Sequence, residues 1–241
     1  MRGVNECFIN LDIKFSCFSY VSIIPMQIVH YPHPALRFKS VDVQQIDGTL
    51  RKVVRKMFDL MYEANGIGLA ANQVGLPFRF FIVNLNARPG NEDEELVFIN
   101  PVLSKRKGDV VGEEGCLSLP GLYGDVQRAE TITIEAFDLS GQGFAMDLDD
   151  LPARVVQHET DHLDGIMFTD HIKEGEESDQ AELELLKFVK NFRDAQADKL
   201  FVVDEALQAS VQAMADSGKI SADFLSTPVH KLTPPEINRE E

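Results

Sequence analysis

The run Gln157-His158-Glu159-Thr160-Asp161-His162 places two imidazoles four residues apart with a carboxylate beside the first. On a helix, positions four apart lie nearly one above the other, so His158 and His162 can grip one metal ion. Glu159 falls about 100° further round at 3.6 residues per turn, where it can reach a water on that metal. The chemistry open to these residue types is metal-assisted hydrolysis. Two histidines do not complete such a site, because zinc or iron catalysis takes three protein ligands and leaves one position for water. The candidates for the third are His30, His33, His171, His230, the acidic residues and Cys116.

Cys116 has a distinctive setting. In Glu113-Glu114-Gly115-Cys116-Leu117-Ser118-Leu119-Pro120 it ends a strand-like stretch beside a glycine that lets a substrate or metal come close, although a lone cysteine is commonly a small buried apolar residue. A third stretch, Gly66-Ile67-Gly68-Leu69-Ala70-Ala71-Asn72-Gln73-Val74-Gly75, has the glycine density of a phosphate loop without its grammar: no Gly-Lys-Ser/Thr follows and no apolar strand leads in. Small residues here let extended backbone pass close to a ligand, and Gln73 can present an amide N–H to an oxyanion. A tight structural turn is the competing reading.

In type and order the three stretches resemble the peptide deformylases, a family with a glycine-rich segment ending in Gln, then Glu-Gly-Cys-Leu-Ser, then Gln-His-Glu-x-x-His on a helix. The matches are Gly66 to Gln73, Glu114 to Ser118 and Gln157 to His162, and the resemblance covers about residues 26–172. It implies that Cys116, His158 and His162 hold one divalent metal, Fe2+ in the family's usual form, with Zn2+, Ni2+ or Co2+ accepted. It makes Glu159 the general base, and the Gln73 side chain and Leu117 backbone N–H the donors to the formyl oxygen. The implied reaction removes the N-formyl group from N-formylmethionyl nascent polypeptides and releases formate.

The substrate is then expected to lie extended beside the sheet against Ile67-Gly68 and Gly115, as in strand addition. Its methionine enters a pocket of Ile67, Leu117, Leu151, Val155 and the His158 ring, although Leu151 and Val155 read equally well as helix core. Glu114 is expected to pair with Arg128. Two other classes compete. A zinc endopeptidase fits the helix motif alone, but the downstream third histidine of one group of such enzymes is absent and Cys116 is unneeded there. A metal-stapled interaction module would need a fourth protein ligand, and none stands close in sequence.

The elements that must position these residues follow from pattern. Val53, Val54, Met57, Phe58 and Met61 recur at helical spacing and predict a helix over residues 49–64, stopped by Asn65 and Gly66. Short β-rich runs at residues 80–85, 96–100, 109–115, 131–137 and 143–148 predict antiparallel strands. The metal-motif helix should begin near Asp149 or Asp150, tolerate Pro152 in its first turn and end at Gly165. The expected fold is therefore α+β, with antiparallel sheets packed around a central metal-binding helix and an additional C-terminal helical extension.

Domain organisation is expected in three parts: a doubtful extension at residues 1–25, a catalytic metallohydrolase domain at 26–172, and an acidic, partly helical extension at 173–241. The first part, with Cys7 and Cys17, reads as a nonessential extension or mis-set start better than as a targeting segment, because Glu6, Asp12 and Lys14 break its apolar run. In the last, Leu185, Phe188, Val189 and Phe192 mark one helix, residues 203–215 a second, and the tail after Ser217 is expected to be extended or disordered. The first of these helices is expected to pack on the catalytic domain, with everything after about Ala197 dispensable.

Composition sets outer limits. Among 241 residues, 44% are apolar, enough for a substantial core. Thirty-nine acidic residues against 23 Lys plus Arg leave a net charge of -16, which opposes binding to phosphate backbones. A C-terminal helix helps some bacterial deformylases dock transiently at the ribosome, but residues 173–241 carry 15 Asp plus Glu against 8 Lys plus Arg, so no direct nucleic-acid contact is expected. Three cysteines form no disulfide framework, no apolar run reaches 18 residues, and the expected location is cytoplasmic, away from membranes.

Overall fold

The computed structural model describes residues 23–88, 94–226, 228–230 and 232–237. The apolar stripe predicted for the first helix forms α1, Gly48–Glu63, started by Asp47, whose carboxylate accepts the Thr49 and Leu50 N–H groups at 2.9 Å each. It ends, as expected, before Asn65, which takes a left-handed conformation with φ 56°. Five strands then build an antiparallel sheet: β2 (Gly68–Ala70), β3 (Phe80–Val83), β4 (Leu96–Lys107), β7 (Thr131–Phe137) and β8 (Gly143–Asp149), in that spatial order. Between β4 and β7 the chain makes a separate hairpin of β5 (Val110–Cys116) and β6 (Leu119–Arg128).

Strand alternation divides the core. Phe80 and Ile82 of β3 face α1 with Val53, Met57 and Met61, while Phe81 and Val83 face the opposite layer with Ala153, Val155, Val156 and Leu163. Those last four residues belong to α2, Asp150–Leu163, the helix that carries the metal motif. The hairpin residues Cys116, Leu119, Leu122 and Val126 bury against Met167, Phe168 and Phe188. The arrangement is the α+β architecture expected, with α2 central. The chain leaves α2 through Gly165, φ 75°, where a Cβ would stand 2.6 Å from the Arg37 carbonyl oxygen, so only glycine fits the exit.

Three features depart from the sequence reading. Pro101 predicts that β4 ends at Asn100, yet the strand runs on to Lys107. A register shift between Ile99 and Val102 carries the proline past the ladder, and the Asn100 amide is tied to Val43 by bonds of 2.8 and 3.0 Å. β6 has no counterpart in the sequence reading because Pro120, Gly121 and Gly124 mask its alternation of buried and exposed positions. β2 lies concealed inside the glycine-rich stretch.

The C-terminal region holds α3 (Glu176–Ala197) and α4 (Asp204–Ser217), as the periodicity required. The tail, however, is not free. Met214 of α4 and Ile220, Phe224 and Leu225 beyond it pack against the α1 core, and β9 (Pro228–His230) pairs antiparallel with β1 (Ile23–Pro25). The physical reason is composition: these apolar residues lose contact with water only by returning to the body. The expectations for Cys7 and Cys17 lie outside the described residues. No helix among the described residues is long and apolar enough to cross a membrane.

Candidate metal centre

Cys116 sits where the β5 register slips relative to β6, between Gly115 and Cys116, so its sulfur is swung toward α2. From α2, His158 and His162 project on one face with ring centroids 4.8 Å apart and nearly perpendicular planes. The Cys116 Sγ lies 3.3 Å from His162 Nε2, and the two imidazole Nε2 atoms are 3.2 Å apart. A tetrahedral ion about 2.3 Å from sulfur and about 2.0 Å from nitrogen spaces its donors about 3.3 to 3.6 Å apart. The three ligand atoms, all within 4.8 Å of one another, fit that requirement.

The surrounding charges hold this arrangement. Nδ1–H of His158 donates to Glu114 Oε2 at 2.9 Å, a tautomer that leaves Nε2 as the acceptor facing the metal group. Glu114 in turn takes two hydrogen bonds of 2.9 Å from Arg128 and one of 2.8 Å from Arg154. Burial pushes the Glu114 carboxyl up, but the bonds from Arg128 and His158 hold it well below the usual carboxylate range. Arg128 also donates to Asp161, which pairs with His171 at 2.8 Å.

Burial disfavours charge on both histidines, and His162 is accordingly held well below its ordinary value, as a neutral ligand should be. At His158 burial is outweighed by Cys116, Glu114 and Glu159, which raise it to about 10. The same anionic field that favours a proton there favours a divalent ion in its place.

Glu159 stands one step round the helix, buried, and its Oε2 has no protein hydrogen-bond partner. Burial pushes this carboxyl up to about 7 against the opposing effect of His158. It reaches Gly68 of β2, where a Cβ would collide with Glu159 Oε1, so the glycine leaves the carboxylate room to stand where it does. Gln73 is oriented by the Ala70 N–H, which donates to its Oε1 at 2.7 Å. That leaves its Nε2 turned to the site, 3.4 Å from Cys116 Sγ and 3.3 Å from Ser118 Oγ.

A cleft of about 860 Å³ opens onto this group. Ile67, Gly68, Gln73, Gly115, Cys116, Leu117, Leu151, Val155, His158 and Glu159 all line it, while His162 lies fully buried behind them. Every site residue singled out from sequence thus falls at one place. Of the other histidine candidates, His33 and His171 are engaged elsewhere, His33 by the Ala35 N–H and His171 by Asp161. Sequence reasoning missed Arg154 and Ser118. Arg154 could have been found, since it lies four residues before His158 on the same helical face.

A cysteine sulfur and two imidazoles around one point, with a buried carboxylate alongside, make the donor set of a metallohydrolase on an α+β scaffold. A family model described as polypeptide deformylase matches residues 25–178. The chain is 49% identical over 151 residues to a peptide deformylase of Rhodopirellula baltica, covering 63% of this chain and 75% of that one. It is 41% identical over 173 residues to the chloroplastic peptide deformylase 1B of Solanum lycopersicum, covering 71% of this chain but only 61% of the longer plant protein. A plant peptide deformylase 1B crystal structure superposes with a TM-score of 0.69 at 39% identity, covering 72% of this chain and 94% of that one. The chain belongs to the polypeptide deformylase family, whose members are hydrolases.

Proposed function

We propose that this protein is a peptide deformylase that hydrolyses the N-formyl group of N-formylmethionyl nascent polypeptides and releases formate. The observation that carries the reading is the convergence of Cys116, His158 and His162 at a cleft shared with Glu159 and Gln73. A divalent ion held by those three ligands would supply Lewis-acid activation of water and of the formyl carbonyl. Glu159, kept from full ionisation by burial, is suited to accept a proton from water and return it to the departing amine. The Gln73 Nε2 and the Leu117 backbone N–H donate to the oxygen on which charge develops.

The substrate backbone lies along Ile67-Gly68 and Gly115, and the methionine side chain is held by Ile67, Leu117, Leu151, Val155 and the His158 ring. Fe2+ is the metal assigned on the resemblance alone, because a cysteine sulfur with two imidazoles suits Zn2+, Ni2+ and Co2+ as well, and these are expected as functional substitutes. Residues 26–172 form the catalytic unit in this reading. The protein acts in the cytoplasm on chains emerging from the ribosome, with transient association there and no direct contact to RNA.

Formate release from formyl-Met-Ala-Ser, with metal quantified after anaerobic purification, tests the assignment. Glu159→Ala should lower kcat/KM by roughly 10² to 10⁴ while bound metal persists. Full activity in that variant would falsify the general-base role, and cleavage of an unformylated peptide at an internal bond would favour the zinc endopeptidase instead.

A further inference from the structure

The cleft has a wall that the catalytic region does not supply. Leu232 and Pro234, from the C-terminal tail, line the same cavity as Cys116, His158 and Glu159, and both are half-buried. Three restraints fix them there. Immediately upstream, β9 pairs with β1, with His230 opposite Ile23. The Asn191 side chain of α3 donates to the Thr233 carbonyl at 2.7 Å. Downstream, Ile237 packs over Gly121, 3.3 Å from where a Cβ would stand.

Pro234 and Pro235 fix their own φ angles and lack N–H groups, so they donate no backbone hydrogen bond to a peptide alongside and meet it chiefly through apolar surface. With the tail in place the cleft still measures about 860 Å³, so the segment borders the cavity and does not plug it. The methionine pocket of the deformylase reading is built from other residues. We propose that Leu232 and Pro234 form an apolar wall that selects the residue following the formylated methionine, favouring apolar over acidic side chains. This inference rests on the deformylase reading.

Because the wall is tethered, an apolar side chain placed against it loses water at little ordering cost, whereas a carboxylate loses hydration and gains no partner. The experiment compares kcat/KM for formyl-Met-Leu-Ser and formyl-Met-Asp-Ser in the full chain, together with calorimetric affinities for the product peptides Met-Leu-Ser and Met-Asp-Ser. The apolar preference should fall roughly tenfold in Leu232→Ser, a difference of the size that a few apolar atoms confer. Leu232→Lys should shift preference toward the aspartyl peptide, which a merely structural role would not do.

An unchanged Leu-to-Asp ratio in both variants, each melting like the parent, overturns the wall. So does an equal rise in kcat/KM for every peptide, which would make the tail an inhibitory strap. Absence of formate release by the parent protein, with the product-peptide affinity ratio still sensitive to Leu232, sinks the deformylase reading and leaves the wall standing.

Discussion

At the scale of single residues, Glu114 links the charges around the site. It is buried, accepts from Arg128 and Arg154, and orients the His158 ring through Nδ1. Replacing a partner of a ligating histidine usually weakens metal binding by about 10- to 100-fold. Glu114→Gln should therefore lower metal affinity by about that factor, read by competition with a chromogenic chelator. Parental affinity in that variant would show that Cys116 and the helix orient His158 without help. His158 and Cys116 were visible in the sequence; the Glu114–His158 bond was not, because their separation along the chain carries no local signal.

At the scale of elements, β2 matters for where it runs. Gly68 passes so near Glu159 that a methyl group there collides with the carboxylate. The obstructed group is the mobile end of a side chain, so the strand should survive the substitution while the carboxylate is displaced. Gly68→Ala should leave the thermal midpoint within a few degrees, since the methyl adds little strain to the backbone. Its kcat should nonetheless fall by about 10²-fold, as a displacement near 1 Å can cause. Unaltered steady-state turnover would mean that Glu159 has room to adapt. Glycine density in this stretch suggested close approach to a ligand, and the structure adds that the approach is also to the Glu159 carboxylate.

At the scale of the whole molecule, the C-terminal helices and tail are bound into the body. His33 is buried beside the Phe192 ring of α3, and its Nδ1 accepts the Ala35 N–H at 3.2 Å. Burial lowers its pKa to about 4, against the raising effect of Asp204. A folded value below the ordinary 6.5 means that the unfolded chain binds the proton first, so this contribution is complete above pH 6.5 and is lost as pH falls toward about 4. The loss amounts to at most roughly 3 to 4 kcal/mol, at about 1.4 kcal/mol for each pKa unit. Denaturant melts between pH 7 and pH 4.5 should show a shallower decline for His33→Asn, whose oxygen keeps the cap without titrating. Identical slopes would remove His33 from the account. Separately, Phe224→Ala should cost about 1 to 3 kcal/mol, because the ring packs against the α1 core. No change in its chemical-denaturation midpoint would favour the dispensable tail that its sequence suggested.

The sequence by itself determined the chemistry: two imidazoles at helical spacing, one cysteine beside a glycine, and a glutamine closing a small-residue stretch. Helix α1 and the metal helix α2 were also legible, since their apolar residues repeat every turn and their ends carry Asp, Asn and Gly. What only the tertiary structure decided are the non-local relations: Arg154 joining the expected Glu114–Arg128 pair, β6 hidden beneath its glycines, and Leu232 and Pro234 arriving at the cleft. A periodic pattern reports which face of an element is buried, because that depends on neighbours a few residues away. It does not report which distant segment covers that face, because pairing across long separations leaves no repeat in the chain.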